Sequence, residues 1–312
     1  MGLFHCPIGA MVYQDAVCIE CGLCMAQTRE EAVAASKIIR EYIKSHASTR
    51  ANKYLIQKIA VCGKGGVGKS TISTLLAQSL EECGYRLLVM DTDESNPSLF
   101  RSFGFDRQPK QLISILDRFS SEEETSTQWL TSDKINLEDI PKEFVQIRNN
   151  IMFMMIGKID DPFQGCACSM ADIMRDFICK LSLKEKQILL ADNEAGVESF
   201  GRGIERGMDT VIIVVEPSYE SMALAEKISY MAQGIGISRI RAILNKVPSE
   251  QVEEKMINFL IEKEIRYLGS VYLDACVIEE CFGGQALGNS NARKKIRTIA
   301  RLMLDEAEME HN

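Results

Sequence analysis

Residues 59–71 read IAVCGKGGVGKST, and this stretch decides the fold because it joins a short apolar run to a glycine-rich loop and a helix. Within it, Gly63, Gly68, Lys69 and Ser70 satisfy the phosphate-loop pattern GxxxxGK followed by Ser or Thr. Apolar residues after the loop recur at helical spacing. The loop therefore lies between a buried strand and a helix N-terminus, where backbone N–H groups can bind a triphosphate.

Each part of this loop has a predicted role in binding ATP and Mg²⁺. The glycines let the backbone fold tightly, Lys69 would neutralise the β- and γ-phosphates, and Ser70 would ligate Mg²⁺. A glycine-rich surface turn is the alternative, although four fixed positions rarely match by chance in a chain of this length. The predicted nucleotide-binding residues of the loop are Gly63, Lys64, Gly65, Gly66, Val67, Gly68, Lys69, Ser70 and Thr71.

Lys64 directly follows the first glycine, and the resulting KGGVGKS resembles the deviant Walker A loop. The dimeric ATPases with that loop include the nitrogenase iron protein and the MinD-type and ParA-type ATPases. The resemblance implies an enzyme that hydrolyses ATP to ADP and phosphate and forms a homodimer when ATP binds. It also implies that Lys64 reaches the partner's nucleotide and stabilises charge on the γ-phosphoryl group in trans, as an arginine finger does.

Length, composition and charge restrict the class of protein. The chain has 312 residues, 46% hydrophobic and 26% charged, which suits one large domain with a small additional unit. Its net charge of −8 disfavours a general surface for nucleic acid or anionic membranes. No apolar run reaches membrane length, and no signal-peptide pattern opens the sequence. We therefore expect a cytoplasmic protein that binds neither nucleic acid nor membrane.

Eleven cysteines are many for a cytoplasmic protein, in which disulfides rarely persist, so metal ligation is the better interpretation. Cys6, Cys18, Cys21 and Cys24 lie near the start of the chain and include a CxxCxxC motif. The segment CIECGLC looks like a bacterial ferredoxin half-site, and we predict an iron–sulfur cluster there, with 4Fe–4S the expected type. A structural Zn²⁺ held by the same four thiolates is the alternative.

The sequence divides into two predicted parts. Residues 1–55 would form the four-cysteine unit with one helix at 28–46, and residues 56–312 the P-loop ATPase domain. In the larger part, short apolar strands are predicted at 59–62, 86–90, 151–156, 187–192, 210–216, 241–245 and 266–271, with helices between most of them. This alternation predicts an α/β fold with a mostly parallel sheet covered by helices on both faces. The polar stretch 120–141 is interpreted as an insertion.

Three carboxylates are predicted to act at the ends of strands. Asp91 and Asp93 follow a strand in RLLVMDTDESN, and either could orient an attacking water beside Mg²⁺. Asp192 ends another strand in QILLADNEAGVESF, as a Walker B aspartate does, and would hold Mg²⁺ through a water. Because such sheets bind ligands at the carboxyl ends of their strands, we expect these residues to lie near the phosphate loop.

A narrower resemblance rests on DNEAGVESFGRG at residues 192–203 and VIIVVEPS at residues 211–218. These segments resemble the CooC-type ATPases, accessory proteins that deliver nickel to carbon monoxide dehydrogenase. The resemblance implies that residues 192–203 are a switch segment that senses the γ-phosphate. In the wider family, the asparagine corresponding to Asn245 in ILNK hydrogen-bonds adenine, so Asn245 and Lys246 are expected at the nucleotide.

Cys166 and Cys168 form a CxC motif before a predicted helix, and this spacing alone is weak evidence in a cysteine-rich chain. The CooC family carries its CxC on such a segment. The resemblance implies that each chain of the ATP-bound dimer donates two thiolates to a site for Ni²⁺ or Zn²⁺, metals that thiolates bind well. We therefore predict an ATP-dependent metallochaperone whose client is a nickel enzyme of carbon monoxide or acetyl-CoA metabolism.

Other functions remain open. An ATP-gated reductase similar to the nitrogenase iron protein would hold a dimer-bridging 4Fe–4S cluster on Cys166 and Cys168 and take electrons from the N-terminal cluster. An iron–sulfur scaffold ATPase can also carry four N-terminal cysteines, but that family uses CPxC. A partition-type positioning ATPase has no use for the cysteines. No metal role is expected for the other five, Cys62, Cys83, Cys179, Cys276 and Cys281.

Overall fold

The computed structural model describes residues 56–93, 98–115, 128–157 and 167–311, together with Thr28, Glu30 and Ala34. Glu30 and Ala34 are helical, which agrees with the helix predicted at 28–46. The four N-terminal cysteines lie outside the described residues, so the N-terminal unit and its boundary near residue 55 stay predictions. Within the described ranges, no helix is long and apolar enough to cross a membrane.

The described residues from 56 onward are organised around an eight-stranded sheet with the spatial order β3-β4-β2-β5-β1-β6-β7-β8. All neighbouring strands are parallel except β3 and β4. The strands are β1 Lys58–Gly63, β2 Arg86–Asp91, β3 Gln146–Arg148, β4 Ile151–Met155, β5 Gln187–Asp192, β6 Thr210–Val215, β7 Arg239–Val247 and β8 Arg266–Tyr272. The predicted α/β class with a mostly parallel sheet is confirmed.

Helices connect the strands. The α-helices are α1 Lys69–Glu82, α2 Leu99–Ser102, α3 Gln128–Thr131, α4 Ala167–Lys180, α5 Glu198–Arg202, α6 Tyr219–Gly234, α7 Glu250–Glu262, α8 Ala275–Phe282 and α9 Asn291–His311. Short 3₁₀ turns occupy Leu112–Ser114, Leu137–Asp139, Lys142–Phe144 and Ile204–Gly207. The phosphate loop joins β1 to α1, as the sequence predicts.

The central strands are apolar between their end residues because neither of their faces is open to water. Every residue of β5 and β6 is buried, and only the first residue of β1 and of β2 is half-buried. On α1, Leu75, Leu76 and Leu80 are fully buried in the core. The last helix, α9, packs against α1 and β8 and adds Ile296 and Ile299 to the same core.

Strand β3 and helix α8 are among the elements that were not predicted, because neither has an inward apolar pattern. Strand β3 has three residues, and its central Ile147 is 55% exposed, so no apolar run marks it. Helix α8 has the opposite character: it is rich in apolar residues, yet none is buried and Phe282 is 96% exposed. Neither the sequence of β3 nor that of α8 has the apolar periodicity from which a buried strand or helix is predicted.

The interpretation of residues 120–141 as a polar insertion needs adjustment for the described part, from residue 128 onward. Trp129 lies with its ring centroid 5.9 Å from that of Phe144 and 6.1 Å from that of Phe177. Leu137 is also buried. These apolar side chains therefore pack into the domain, although the stretch is polar on average.

Glu306 of α9 ties the last helix to the sheet. Its Oε2 accepts a hydrogen bond from Arg241 Nε on β7 at 2.9 Å, and both side chains are largely buried. We expect Glu306→Ala to lower the free energy of unfolding by about 2 kcal/mol, because Arg241 would keep a buried charge without this carboxylate. Glu308→Ala, at an exposed position on the same helix, should change it by less than about 0.5 kcal/mol. Urea unfolding measures both, and equal losses would contradict the expectation.

Candidate functional site

Strand register brings the polar residues of the site together. In the parallel pairing of β2 with β5, Asp91 lies opposite Asp192, and in the pairing of β1 with β5, Val61 lies opposite Asp192. The connection from β1 leads to β2 on one side of it, whereas the connection from β5 leads past β1 to β6 on its other side, so the direction of the connections reverses at β1. A crevice at the carboxyl ends of the strands is expected at such a point.

The phosphate loop needs glycine at two positions for steric reasons. Gly63 has φ +151°, and a Cβ there would lie 2.5 Å from the carbonyl oxygen of Val214 on β6. Gly68 has φ +91°, and a Cβ there would collide with the side-chain amide of Asn245. The loop thus rests against β6 and β7, while Gly65 and Gly66 between these contacts are exposed.

Ser70 and Asp192 form a pair of oxygen ligands suited to Mg²⁺. Ser70 Oγ donates to Asp192 Oδ2 at 2.6 Å, and Ser73 Oγ donates to Oδ1 at 2.7 Å. Burial raises the pKa of the Asp192 carboxyl, while the two hydroxyl hydrogen bonds and the nearby Lys69 ammonium lower it. A hydroxyl and a carboxylate in contact at a helix N-terminus fit Mg²⁺, which prefers hard oxygen ligands. Ser70 and Asp192 would hold the ion.

Lys69 and Lys64 occupy different environments in the loop. Lys69 is buried, and its Nζ donates to the carbonyl oxygen of Lys64 at 3.3 Å. The Lys64 side chain is 37% exposed and forms ion pairs with Glu216 and Glu220, each with a 3.8 Å separation. Exposed pairs at this distance contribute about 1 kcal/mol or less, so Lys64 can change partner at small cost.

Asp91 and Asp93, which the sequence does not distinguish, have different surroundings. Asp91 is buried, and its Oδ1 accepts the backbone N–H of Asp93 at 3.2 Å, so it shapes the loop that follows β2. Asp93 is half-buried at the rim of the crevice. A water beside a γ-phosphate is therefore more accessible to the Asp93 carboxylate.

Asn245 and Lys246 contact the phosphate loop directly. Asn245 Nδ2 donates to the carbonyl oxygen of Val67 at 2.7 Å, and Lys246 Nζ donates to that of Gly66. Lys246 has φ +56° and also pairs with Glu216 at 3.4 Å. The end of β7 is thereby fixed beside the loop, where Asn245 is predicted to bond adenine.

Asn193 and Glu205 form a buried pair that sequence reasoning missed. Asn193 Nδ2 donates to Glu205 Oε1 at 2.9 Å, and Thr92 Oγ1 donates to Asn193 Oδ1 at 3.2 Å. Asn193 also lies 3.6 Å from Cys62 Sγ on β1. Asn193 thus links the ends of β1 and β2 to the turn Ile204–Gly207. The only signal in the sequence was a polar residue directly after Asp192.

The structure describes the CxC motif in part. Helix α4 begins at Ala167, so Cys168 is its second residue, while Cys166 lies outside the described residues. Elsewhere in the described chain, no group of three or more His, Cys, Asp or Glu side chains could hold a metal ion. Of the five cysteines without a predicted metal role, Cys62 is buried, Cys83 is half-buried, and Cys179, Cys276 and Cys281 are exposed.

Comparison with known proteins agrees with this geometry. A family model described as the CobQ/CobB/MinD/ParA nucleotide binding domain matches residues 58–286. An uncharacterized ATP-binding protein of Methanocaldococcus jannaschii is 40% identical over 200 residues, which cover 62% of this chain and 80% of that protein. Carbon monoxide dehydrogenase accessory protein CooC of Rhodospirillum rubrum is 32% identical over 233 residues, which cover 70% of this chain and 85% of CooC.

Solved structures share the fold. The cell division ATPase MinD of Pyrococcus furiosus matches with a TM-score of 0.58 and 18% sequence identity, over 82% of this chain and all of that one. At this identity the match bears on the fold alone. It agrees with the α/β fold and its mostly parallel sheet.

Asp93 provides a direct test of the hydrolytic site. We expect Asp93→Asn to lower kcat for ATP hydrolysis about 100-fold with little change in KM, because the amide cannot act as a base towards water. Asp106→Asn, at an exposed position after α2, should leave both constants unchanged. Steady-state phosphate release measures them. An Asp93→Asn enzyme with wild-type kcat would remove Asp93 from the mechanism.

Glu205 should make stability depend on pH. Burial raises the pKa of Glu205 from its usual 4.5 to about 7. Between these values the unfolded chain releases a proton that the folded chain keeps, so folding loses up to about 3 kcal/mol as pH rises through the window. The Gln side chain of Glu205→Gln does not titrate, so the stability of this variant should rise relative to that of wild type as pH increases from 4.5 to 8.

Urea unfolding of wild type and Glu205→Gln at several pH values measures the difference. Glu198→Gln, an exposed position on α5, serves as the matched control and should track wild type. A constant difference between Glu205→Gln and wild type across this range would contradict the assigned pKa.

Proposed function

The chain belongs to the CobQ/CobB/MinD/ParA nucleotide-binding family and is a P-loop ATPase, and from that premise we propose that it is a metallochaperone. It would use ATP to assemble and release a nickel site and would deliver the metal to a carbon monoxide dehydrogenase or acetyl-CoA synthase-type enzyme. The observation that carries the proposal is that Cys168, the second cysteine of the CxC motif, lies in the first turn of α4, a helix that packs against the switch segment. The 32% identity to CooC supports the same function.

Within the ATP site, the chain's own residues have separable roles. Lys69 would neutralise the β- and γ-phosphates from its buried position, and Asn245 would bond the adenine ring beside the loop. Ser70 and Asp192 would hold Mg²⁺, which supplies positive charge to the triphosphate when bound. Asp93 would orient the attacking water. These groups act on charge and position, which is the main requirement of phosphoryl transfer.

Dimer formation is the step that would make the site complete. Lys64 is the residue proposed to cross to the partner's nucleotide, and its present pairs with Glu216 and Glu220 are long and solvent-accessible. Exchanging them for a triphosphate in a drier interface would be favourable, since charge pairs strengthen as water is excluded. Two chains facing each other would bring two CxC motifs to one metal.

The thiolates at this position would suit a metal that must be released. A helix N-terminus lowers the pKa of nearby thiols, and a thiolate binds nickel or zinc better than a thiol does. Cys168 is in the first turn of α4, and Cys166 directly precedes that helix in sequence. Four thiolates from two chains would bind the metal more firmly than the two from one chain.

A second function, an ATP-gated iron–sulfur reductase, is favoured by one sequence feature. The CxxCxxC motif with Cys6 upstream is typical of an electron-transfer cluster and has no evident use in a nickel chaperone. In that case Cys166 and Cys168 would hold a bridging 4Fe–4S cluster. An EPR signal present in wild type and lost on replacing both cysteines would favour this function.

Nickel binding tests the proposal directly. We expect anaerobically purified protein saturated with Mg²⁺ and the ATP analogue AMP-PNP to dimerise in sedimentation experiments. The dimer should bind one Ni²⁺ more than the Cys166→Ser/Cys168→Ser double variant binds. The double variant should still dimerise and hydrolyse ATP, because its substitutions lie outside the phosphate site.

A second variant separates dimer formation from metal ligation. Lys64→Ala should bind nucleotide but stay monomeric. Like the double cysteine variant, it should not bind the additional Ni²⁺ that the wild-type dimer binds. Lys227→Ala, on α6, provides a lysine control and should behave as wild type. Equal Ni²⁺ binding by wild type and the double cysteine variant would exclude this function.

A further inference from the structure

The turn Ile204–Gly207 lies between the nucleotide site and α4, the helix that contains Cys168. On its nucleotide side, Glu205 is fully buried and accepts the 2.9 Å hydrogen bond from Asn193. Asn193 directly follows Asp192, and its side-chain Oδ1 accepts a hydrogen bond from Oγ1 of Thr92, which stands between Asp91 and Asp93. Glu205 is therefore joined by two hydrogen bonds to the loop proposed to position the attacking water.

On its other side, the same turn packs closely against α4. A Cβ on Gly207 would collide with the side chain of Ile178, so the backbone of the turn touches the helix. Arg202 lies just before this turn in the chain, and its backbone carbonyl oxygen accepts a hydrogen bond from Nη1 of Arg175 on α4 at 2.9 Å. Arg175 and Cys168 are two helical turns apart, or about 10 Å along the axis of α4.

We propose that Glu205 is a positioning residue that couples the nucleotide state to the metal site: its bond to Asn193 fixes the turn Ile204–Gly207, and the turn sets the position of α4. When the loops at Thr92 and Asn193 respond to the γ-phosphate, the turn moves with them and carries the helix. The inference rests on the proposed function, because it assigns a route between the ATP site and the nickel site of that function.

The packing around the turn Ile204–Gly207 favours passing a movement of Asn193 on to α4 over absorbing that movement locally. Glu205, Asn193 and Cys62 are all buried, so a displaced Asn193 cannot replace its partner with water. Glu194 and Arg202 lie near the two ends of the switch segment and form a 3.0 Å ion pair, and the backbone carbonyl oxygen of Arg202 accepts a hydrogen bond from Arg175. A tightly packed interior shifts between discrete arrangements instead of deforming gradually, so a movement at one side of the turn reaches the other.

The test measures the ratio of Ni²⁺ affinities in the Mg·AMP-PNP and Mg·ADP states of the full chain. Binding to the double cysteine variant is subtracted, so that only the site at Cys166 and Cys168 is counted. For wild type we expect a ratio of at least about 5, the lower end of typical coupling between sites. Glu205→Leu should bring the ratio to about 1, while Glu205→Gln, which can still accept from Asn193, should retain most of it.

Two further variants distinguish coupling from a structural role. Asn193→Leu should remove the coupling as Glu205→Leu does. The variant that combines Glu205→Leu with Asn193→Leu should lose no more coupling than either single variant, because both substitutions break the same hydrogen bond. Asp209→Asn is the matched control. Asp209 is also buried, but it accepts the backbone N–H of Lys58 at the opposite end of β1. A purely structural effect would weaken Ni²⁺ binding equally in both nucleotide states and leave the ratio unchanged.

The outcomes are separable. If wild type shows no nucleotide dependence of Ni²⁺ binding, the proposed function itself is wrong. If wild type shows the dependence and Glu205→Leu keeps it, the function stands and this inference is overturned. Loss of the ratio in Glu205→Leu and Asn193→Leu, with the ratio kept in Asp209→Asn, supports the inference.

Discussion

The register of three neighbouring parallel strands is the constraint on which the site depends. Asp91 of β2 lies opposite Asp192 of β5, and Asp192 lies opposite Val61 of β1, two residues before the phosphate loop. A shift of one residue in either pairing would turn these side chains to the other face of the sheet. It would also break the 2.6 Å bond from Ser70 to Asp192. The buried apolar residues of these strands fix the register, so packing in the core determines the chemistry at the rim.

Several carboxylates are buried in or near the central strands, although an ordinary core avoids charge. Asp192 receives two hydroxyl hydrogen bonds and Asp209 two backbone ones, so both carboxylates are compensated where they lie. Glu205 is less well compensated, since its Oε2 has no hydrogen-bond partner among the described residues and its pKa is raised to about 7. A buried carboxyl group with incomplete hydrogen bonding costs stability, and such groups with shifted pKa values are concentrated at functional sites.

Much of this arrangement could be predicted from sequence, because the signals are local. The phosphate loop is a contiguous motif, and the strands ending at Asp91 and Asp192 are apolar runs with polar residues after them. The structure goes further where contacts join distant segments. Nothing near Glu205 indicates burial, since its partner Asn193 is twelve residues earlier around a turn. The different surroundings of Asp91 and Asp93 likewise depend on loop geometry that spacing alone does not express.

We propose one claim that joins these parts: a triphosphate held by Lys69 and Ser70 would draw two chains together, and their union would determine how many sulfur atoms surround the metal. Nickel X-ray absorption tests this most directly, on protein whose four N-terminal cysteines are replaced by serine. We expect about four sulfur ligands with Mg·AMP-PNP and at most about two with Mg·ADP. The same number of sulfur ligands in both nucleotide states would contradict it.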